Sequence, residues 1–422
     1  MNGHPYSLDP RPRGPWAWRP GNLAVAAALM AAAYWAVRLA YADMLFRRNT
    51  PQSLSQALRL APGNAQYHVR WGELAAQSGA DAAVRIGALR QACRLNPHDA
   101  SIRLELGLRE EMEGNFRQAE ECLLEAARLD KTHQPRAALA HYYFRRRSWE
   151  PFWRWVREAL ETAPGDAEVL FRLCWDATQD ANRICQLAIP PRREILRQYL
   201  TFLSVRARWE AAGEILARLT EKPTAEDTPA LLAHCERLLE AGKPGPAMAV
   251  WNALASRRLI PYEPLAPERG LVLTNPDFLV RPQSRGFDWR IASVEGITIA
   301  RDEEAGALRI TFAGRQPEEC QILWQFLPLA PAARYQFRFQ YRSTDIPAGS
   351  GPAWEVVGSI GKTPVVRSEP LSSDGWIEGR MELAGNARGD AARLALVYRR
   401  RPGTTRIAGA LWLRGLELKH AE

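Results

Sequence analysis

Residues 100–130, ASIRLELGLREEMEGNFRQAEECLLEAARLD, decide the fold. Apolar positions recur at helical spacing on both sides of Gly114, so the stretch reads as two helices joined at a glycine turn. The landmark that closes this unit recurs along the chain: ALRLAPGNA with Pro62, ACRLNPHDA with Pro97, AARLDKTHQ with Lys131 and ALETAPGDA with Pro164. The spacings are 35, 34 and 33 residues. A period of that size belongs to stacked helical hairpins, none of which buries its apolar face alone. Such stacks present binding surfaces, so the first expectation is a scaffold.

The unit resembles the tetratricopeptide repeat, with Leu106-Gly107 near the end of the first helix, Gly114 at the turn, Ala119 where the helices cross, and Leu123 and Ala126 on the second helix. The unit before it carries Gly72, Gly79, Leu89 and Ala92. The unit after it keeps Leu139-Ala140, Tyr143 and Ala159 but has Arg147 in place of the turn glycine. Two weaker hairpins follow at 193–221 and 228–258, the last with Gly242, Ala247 and Trp251 at repeat spacing. We expect an α-solenoid of five to six hairpins over residues 52–259. The resemblance implies protein or peptide partners without naming them. Within the array, HYYFRRRSWEPFWRWVR (141–157) offers Arg145, Arg146, Arg147, Trp149 and Trp153 as partner-binding candidates. The other reading of that stretch is aromatics filling the core while arginines face water.

Before the array, NLAVAAALMAAAYWAV (22–37) is an apolar run that Arg38 interrupts. Counted from Trp16 or Trp18 it gives about 20 residues, roughly 30 Å of helix, enough to span a bilayer. We expect a cytoplasmic tail over 1–21 and a transmembrane anchor with a juxtamembrane helix over 22–46; a cleaved signal peptide is the alternative. Arg11, Arg13 and Arg19 before the run nearly balance Arg38, Arg47 and Arg48 after it, so charge alone sets no orientation.

After Pro261 short alternating runs punctuated by Gly and Pro replace the helical pattern: ALRITFAG (307–314), CQILWQFLPL (320–329), RYQFRFQYRS (334–343), AWEVVGSIG (353–361), WIEGRMELA (376–384), RLALVYRRR (393–401) and GALWLRGLELK (409–419). Seven or eight strands imply an antiparallel β-sandwich of the jelly-roll kind over 262–422. The order of NPDF (275–278), GFDW (286–289), SGPAWEV (350–356) and IAGALWLRGLEL (407–418) is similar to C-terminal domains fused to tetratricopeptide arrays in bacterial exopolysaccharide and O-antigen assembly proteins, related in pattern to carbohydrate-binding modules. The resemblance implies a single-pass inner-membrane protein with a cytoplasmic N-terminus and a periplasmic bulk. Related modules hold calcium through acids at two places where this chain has Leu279 and Arg414, so no metal site is expected there. Aromatic faces that could stack on sugar are Trp289, Tyr341, Trp354 and Trp376, with Arg342 and Glu355 as polar partners. Trp354, in a Gly/Pro-rich stretch, is expected on an exposed loop, whereas Trp324 and Trp412 are expected in the core.

The chain is 422 residues long with a net charge of +9 spread over its length, a pattern of solvated surface rather than a nucleic-acid footprint. Its six cysteines form no CxxC pair; Cys174 and Cys185 are close enough in sequence to pair in an oxidising compartment, or to be buried thiols. There is no glycine-rich phosphate loop, HExxH or GxSxG, and adjacent acids such as Glu110-Glu111 point apart. We therefore expect no enzyme and no cofactor. The expected role is a multi-domain α + β membrane-anchored accessory protein of polysaccharide assembly, with protein partners on the array and polysaccharide on the sandwich. A pure protein–protein scaffold is the alternative.

Overall fold

The computed structural model describes residues 20–77, 79, 81–358, 364–384 and 392–421. The tail before residue 20, with Trp16, Trp18, Arg11, Arg13 and Arg19, lies outside them, as does the end of the 353–361 run. The chain forms two compact units, Met1–Thr162 and Ala163–Glu422.

The first unit holds α1 (Pro20–Arg48), α2 (Pro51–Leu60), α3 (Ala65–Gln77), α4 (Ala82–Leu95), α5 (Ala100–Met112), α6 (Phe116–Leu129), α7 (His133–Arg145) and α8 (Trp149–Glu161). They pack as four successive antiparallel hairpins. The repeated closing landmark is a helix start: the side-chain oxygens of Asn64, Asp99, Asp130 and Asp166 each accept a backbone N–H two residues on. They occupy donors that a helix start leaves unpaired. Gly107 sits where α5 crosses α6; a Cβ there would lie 2.8 Å from Leu123 Cγ, so only glycine allows that approach.

The left-handed turn at Gly114 returns at Arg147. In both, the positive-φ residue donates three residues back and its successor five residues back. Arg147 thus makes the glycine-type helix stop without a glycine, at a cost of about 1 kcal/mol.

The apolar helix α1, 29 residues, is long and apolar enough to cross a membrane. Its side chains from Leu23 to Val37 include seven exposed large apolar groups. Its last turns are different. Ala42 and Leu45 are buried with Leu54, Ala57 and Tyr67, Phe46 stacks on Tyr67 at 4.8 Å, and Arg38 Nε donates to the Leu60 carbonyl at 2.8 Å. The juxtamembrane helix is thus the first member of the first hairpin, earlier than the sequence pattern suggests.

The second unit opens with α9 (Glu168–Ala177), α10 (Ala181–Leu187), α11 (Arg193–Val205), α12 (Gly213–Glu221), α13 (Thr228–Glu240) and α14 (Pro244–Ser256). It continues into β1 (Arg290–Ile291), β2 (Ile297–Asp302), β3 (Ala307–Ala313), β4 (Glu319–Leu327), β5 (Arg334–Thr344), β6 (Ala353–Gly358), β7 (Pro364–Arg367), β8 (Ile377–Ala384), β9 (Ala392–Arg399) and β10 (Ala408–His420). All seven expected strand segments form strands; β1, β2 and β7 are added as short edge elements. The strands make two five-stranded sheets, β1-β4-β9-β6-β7 and β2-β3-β10-β5-β8, all pairings antiparallel. From β3 onward the chain alternates between sheets except at the β6–β7 hairpin, which gives the jelly-roll character.

The change of texture near residue 260 is not a break in packing. Trp251 of α14 stacks on Tyr262 (centroids 5.5 Å apart) and meets Phe287 edge-on. The Asn252 amide both donates to the Leu265 carbonyl and accepts its N–H. Glu236 of α13 accepts the Gly286 N–H and pairs with Arg290. A Cβ on Gly286 would collide with the Trp251 ring. These contacts join the last hairpin to the start of the sandwich.

Candidate functional site

Strand alternation and register sort the candidate residues of the sandwich. On β5, Tyr335, Phe337, Phe339 and Tyr341 point inward, and Gln336, Arg338, Gln340 and Arg342 point outward. Trp289 and Trp354 are fully buried, 6.0 Å apart, and Trp354 also packs on Phe337 and Phe339. The expectation of an exposed Trp354 is overturned: the Gly/Pro stretch ends at Pro352, and from Ala353 the chain is strand β6, with Trp354 opposite Leu396 of β9. Glu355, its neighbour, points to the opposite face of that sheet, where it pairs with Arg399 and with Arg367. Tyr341 is 8% exposed and inward. None of these four offers a free ring or group to a sugar.

Arg342 and Trp376 do come together, on the outer face of the second sheet. Register places Trp412 of β10 between Arg309 of β3 and Arg342 of β5. The Arg309 guanidinium lies 5.1 Å from the Trp412 ring, and that of Arg342 lies 4.6 Å from it on the other side. Arg342 is also 5.3 Å from Trp376, which Arg414 covers at 4.0 Å. The result is a ladder, Arg309–Trp412–Arg342–Trp376–Arg414, drawn from three adjacent strands and the residue preceding a fourth. Cation–π contacts of this kind contribute about 0.5–2 kcal/mol each.

The Asp302 carboxylate fixes one rung. It accepts the Ala305 N–H at 3.0 Å and the Trp412 indole N–H at 2.8 Å, and these bonds hold its carboxyl below the usual range. Arg414 donates from Nε to Gln340 (3.0 Å) and from Nη1 to the Ala305 carbonyl (3.4 Å). Its guanidinium is thereby held over Trp376. Leu279 is exposed.

Trp412 is buried, as expected, but in the phase of Ala410 and Arg414 rather than that of Leu411 and Leu413: it belongs to a small apolar cluster with Ala307 and Ala410, against which Ala305 and Trp376 pack. The sequence signal was the alternation within ALWLRG. Arg309 carried the same signal within ALRITFA, between the inward Leu308 and Ile310.

The helical candidates separate. Arg145 makes a two-point ion pair with Glu111 (2.6 and 2.7 Å), and Arg146 lies 3.8 Å over the Phe116 ring. Arg147 makes the turn. Trp153 is buried against Phe152, while Trp149 is 41% exposed beside Phe144 and Phe152. Leu108, Met112, Phe116, Arg145 and Arg146 line a shallow apolar groove. Cys174 and Cys185 are buried free thiols on α9 and α10, not joined by a disulfide. Burial raises both thiol pKa values, that of Cys185 to about 12.

No protein-family model and no curated protein matches the chain. Among solved structures, one described as "CBM4 structure and function" is similar at 12% identity, covering 35% of this chain and 98% of that one with a TM-score of 0.27. Another, YrrB, described as a TPR protein with an unusual peptide-binding site, is similar at 11% identity, covering 50% of this chain and 94% of that one with a TM-score of 0.26. At these scores neither likeness carries a functional argument.

Proposed function

We propose that the protein is a non-catalytic, membrane-tethered scaffold of bacterial cell-surface polysaccharide assembly. In this reading α1 spans the inner membrane with the N-terminus cytoplasmic and the bulk periplasmic. The helical hairpins hold protein partners, and the outer face of the second sheet holds glycan. The observation that carries the reading is the Arg–Trp ladder: indole faces suit the C–H face of a pyranose, and guanidinium groups orient its oxygens. A retained anchor is supported by Ala42 and Leu45, which make α1 part of the first hairpin. The absence of catalysis is argued from the ladder's chemistry: its one carboxylate, Asp302, is engaged by two N–H groups, whereas glycoside hydrolysis needs two acids facing one cleft.

The test is affinity electrophoresis of the full-length protein in detergent through gels containing polysaccharide from the producing organism's own surface. Retardation of the wild type, lost in Trp376→Ala with an unchanged circular dichroism spectrum, is the expected result. No retardation of the wild type would remove the glycan part. It would favour the second reading, a protein–protein scaffold, for which the Leu108–Met112–Phe116 groove is the supporting observation.

A further inference from the structure

The ladder gathers three arginines on one outer face of the sandwich. In the sandwich Arg301, Arg367, Arg380, Arg399 and Arg400 each lie against a carboxylate, whereas among the described residues Arg315, Arg334 and Arg393 are in no ion pair. Among the described residues Arg309, Arg342 and Arg414 form no ion pair; they are brought close to one another through two shared rings, and the one carboxylate within electrostatic reach of Arg309 and Arg342 is Asp302. Arg342 is the extreme case. Among the described residues its Nε is sealed from solvent with no hydrogen-bond acceptor. A buried unsatisfied donor on a cation costs free energy, and stacking between indoles eases the desolvation without cancelling the charge.

Hydrogen-bonding capacity points the same way. A neutral sugar hydroxyl both donates and accepts, so a site for neutral glycan needs acceptors as well as donors. This face supplies guanidinium donors, while its nearby acceptors are already engaged within the protein: each oxygen of Asp302 takes one N–H, from Ala305 and Trp412, and Gln340 Oε1 takes the Arg414 Nε–H. A surface of donors and cations with flat apolar faces between them fits a ligand that brings acceptors and negative charge on a ring. We infer that the glycan held here is acidic, a polyuronate whose carboxylates lie against Arg309 and Arg342 while a pyranose packs beside Trp376.

This rests on the glycan reading above and narrows it to one substrate class. The test takes the full-length protein in detergent through gels containing polygalacturonate, polyglucuronate or alginate. Parallel gels hold the carboxyl-reduced form of each polymer and a phosphomannan. The inference predicts retardation by at least one polyuronate and loss of it with the reduced counterpart. Retardation should weaken as salt rises to about 0.5 M, because exposed charges are then screened. Affinity should fall about 10-fold or more in Arg342→Gln and in Arg309→Gln, the scale of a lost charge-assisted hydrogen bond. Arg380→Gln, which alters an arginine already paired with Glu378, should leave affinity unchanged. Equal retardation by the reduced polymers would overturn the acidic assignment and leave the glycan reading standing. Retardation by phosphomannan alone would overturn the carboxylate. Retardation by none of these, and none by the organism's own polysaccharide, would overturn both.

Discussion

Two regions bring arginine and aromatic rings together, and they do so in opposite ways. In residues 141–157 the groups are contiguous in sequence and the fold disperses them: one arginine to Glu111, one to Phe116, one to a turn, one tryptophan to the core. On the second sheet Arg309, Arg342, Trp376, Trp412 and Arg414 are spread over about a hundred residues of sequence, and the fold collects them into one row. The cause is periodicity. Consecutive helical residues project about 100° apart, whereas antiparallel register sets residues from distant strands side by side. A conspicuous cluster in a helical sequence is therefore a poor guide to a site. In a sheet the informative signal is a polar or aromatic residue in the outward phase.

The largest effect expected from this contrast is on stability. Trp354→Ala should cost about 3–5 kcal/mol in denaturant unfolding, the scale for a large buried aromatic. A loss below about 1 kcal/mol would place Trp354 outside the core and reopen it as a ligand group.

The helical side should show an acid sensitivity centred on His234. Burial, aided by the Arg237 charge, pushes its pKa down from 6.5 to about 4. Ser204 Oγ lies 2.6 Å from its Nδ1, and Nε2 has no partner. A folded-state pKa below the unfolded one means the unfolded chain takes up the proton first. The contribution is thus complete above about pH 6.5 and lost as pH falls toward 4, up to about 3 kcal/mol. Unfolding free energies across that range should lose most of this slope in His234→Gln; an unchanged slope would contradict the assignment.

Arg145→Ala should cost no more than about 1 kcal/mol, since its ion pair with Glu111 is half open to water. Smallest of all, Arg147→Gly should raise stability by about 0.5 kcal/mol, relieving left-handed strain at some cost in chain entropy. A clear loss on thermal unfolding would mean that Arg147 makes contacts beyond its turn.

The array was legible because its signals are local: Gly114, Gly107 and the capping Asn and Asp residues announce helix ends and crossings within a few positions. Arg147 stood in the turn-glycine position of its unit, and only the hydrogen-bond pattern reveals that it makes the same helix stop with a Cβ. The β-sandwich was legible as seven alternating runs. The face to which each tryptophan belonged was harder, and Trp354 lies in the core rather than on the loop expected of it. A Gly/Pro-rich approach suggested a loop at Trp354 where a strand had already begun. Apolar neighbours suggested burial at Trp412, and it is buried, in the outward phase of its strand with Ala307 and Ala410. The docking of α14 on the start of the sandwich depends on Trp251 meeting Gly286, a contact that no periodicity announces.

The central claim is that the dispersed residues make the ligand surface and the contiguous ones do not. The most direct test compares Trp376→Ala with the double variant Arg145→Ala/Arg146→Ala, full length in detergent, on one gel containing the organism's own surface polysaccharide. The account predicts that Trp376→Ala runs unretarded while the double variant is retarded like the wild type. Retardation of Trp376→Ala alongside free migration of the double variant would contradict it.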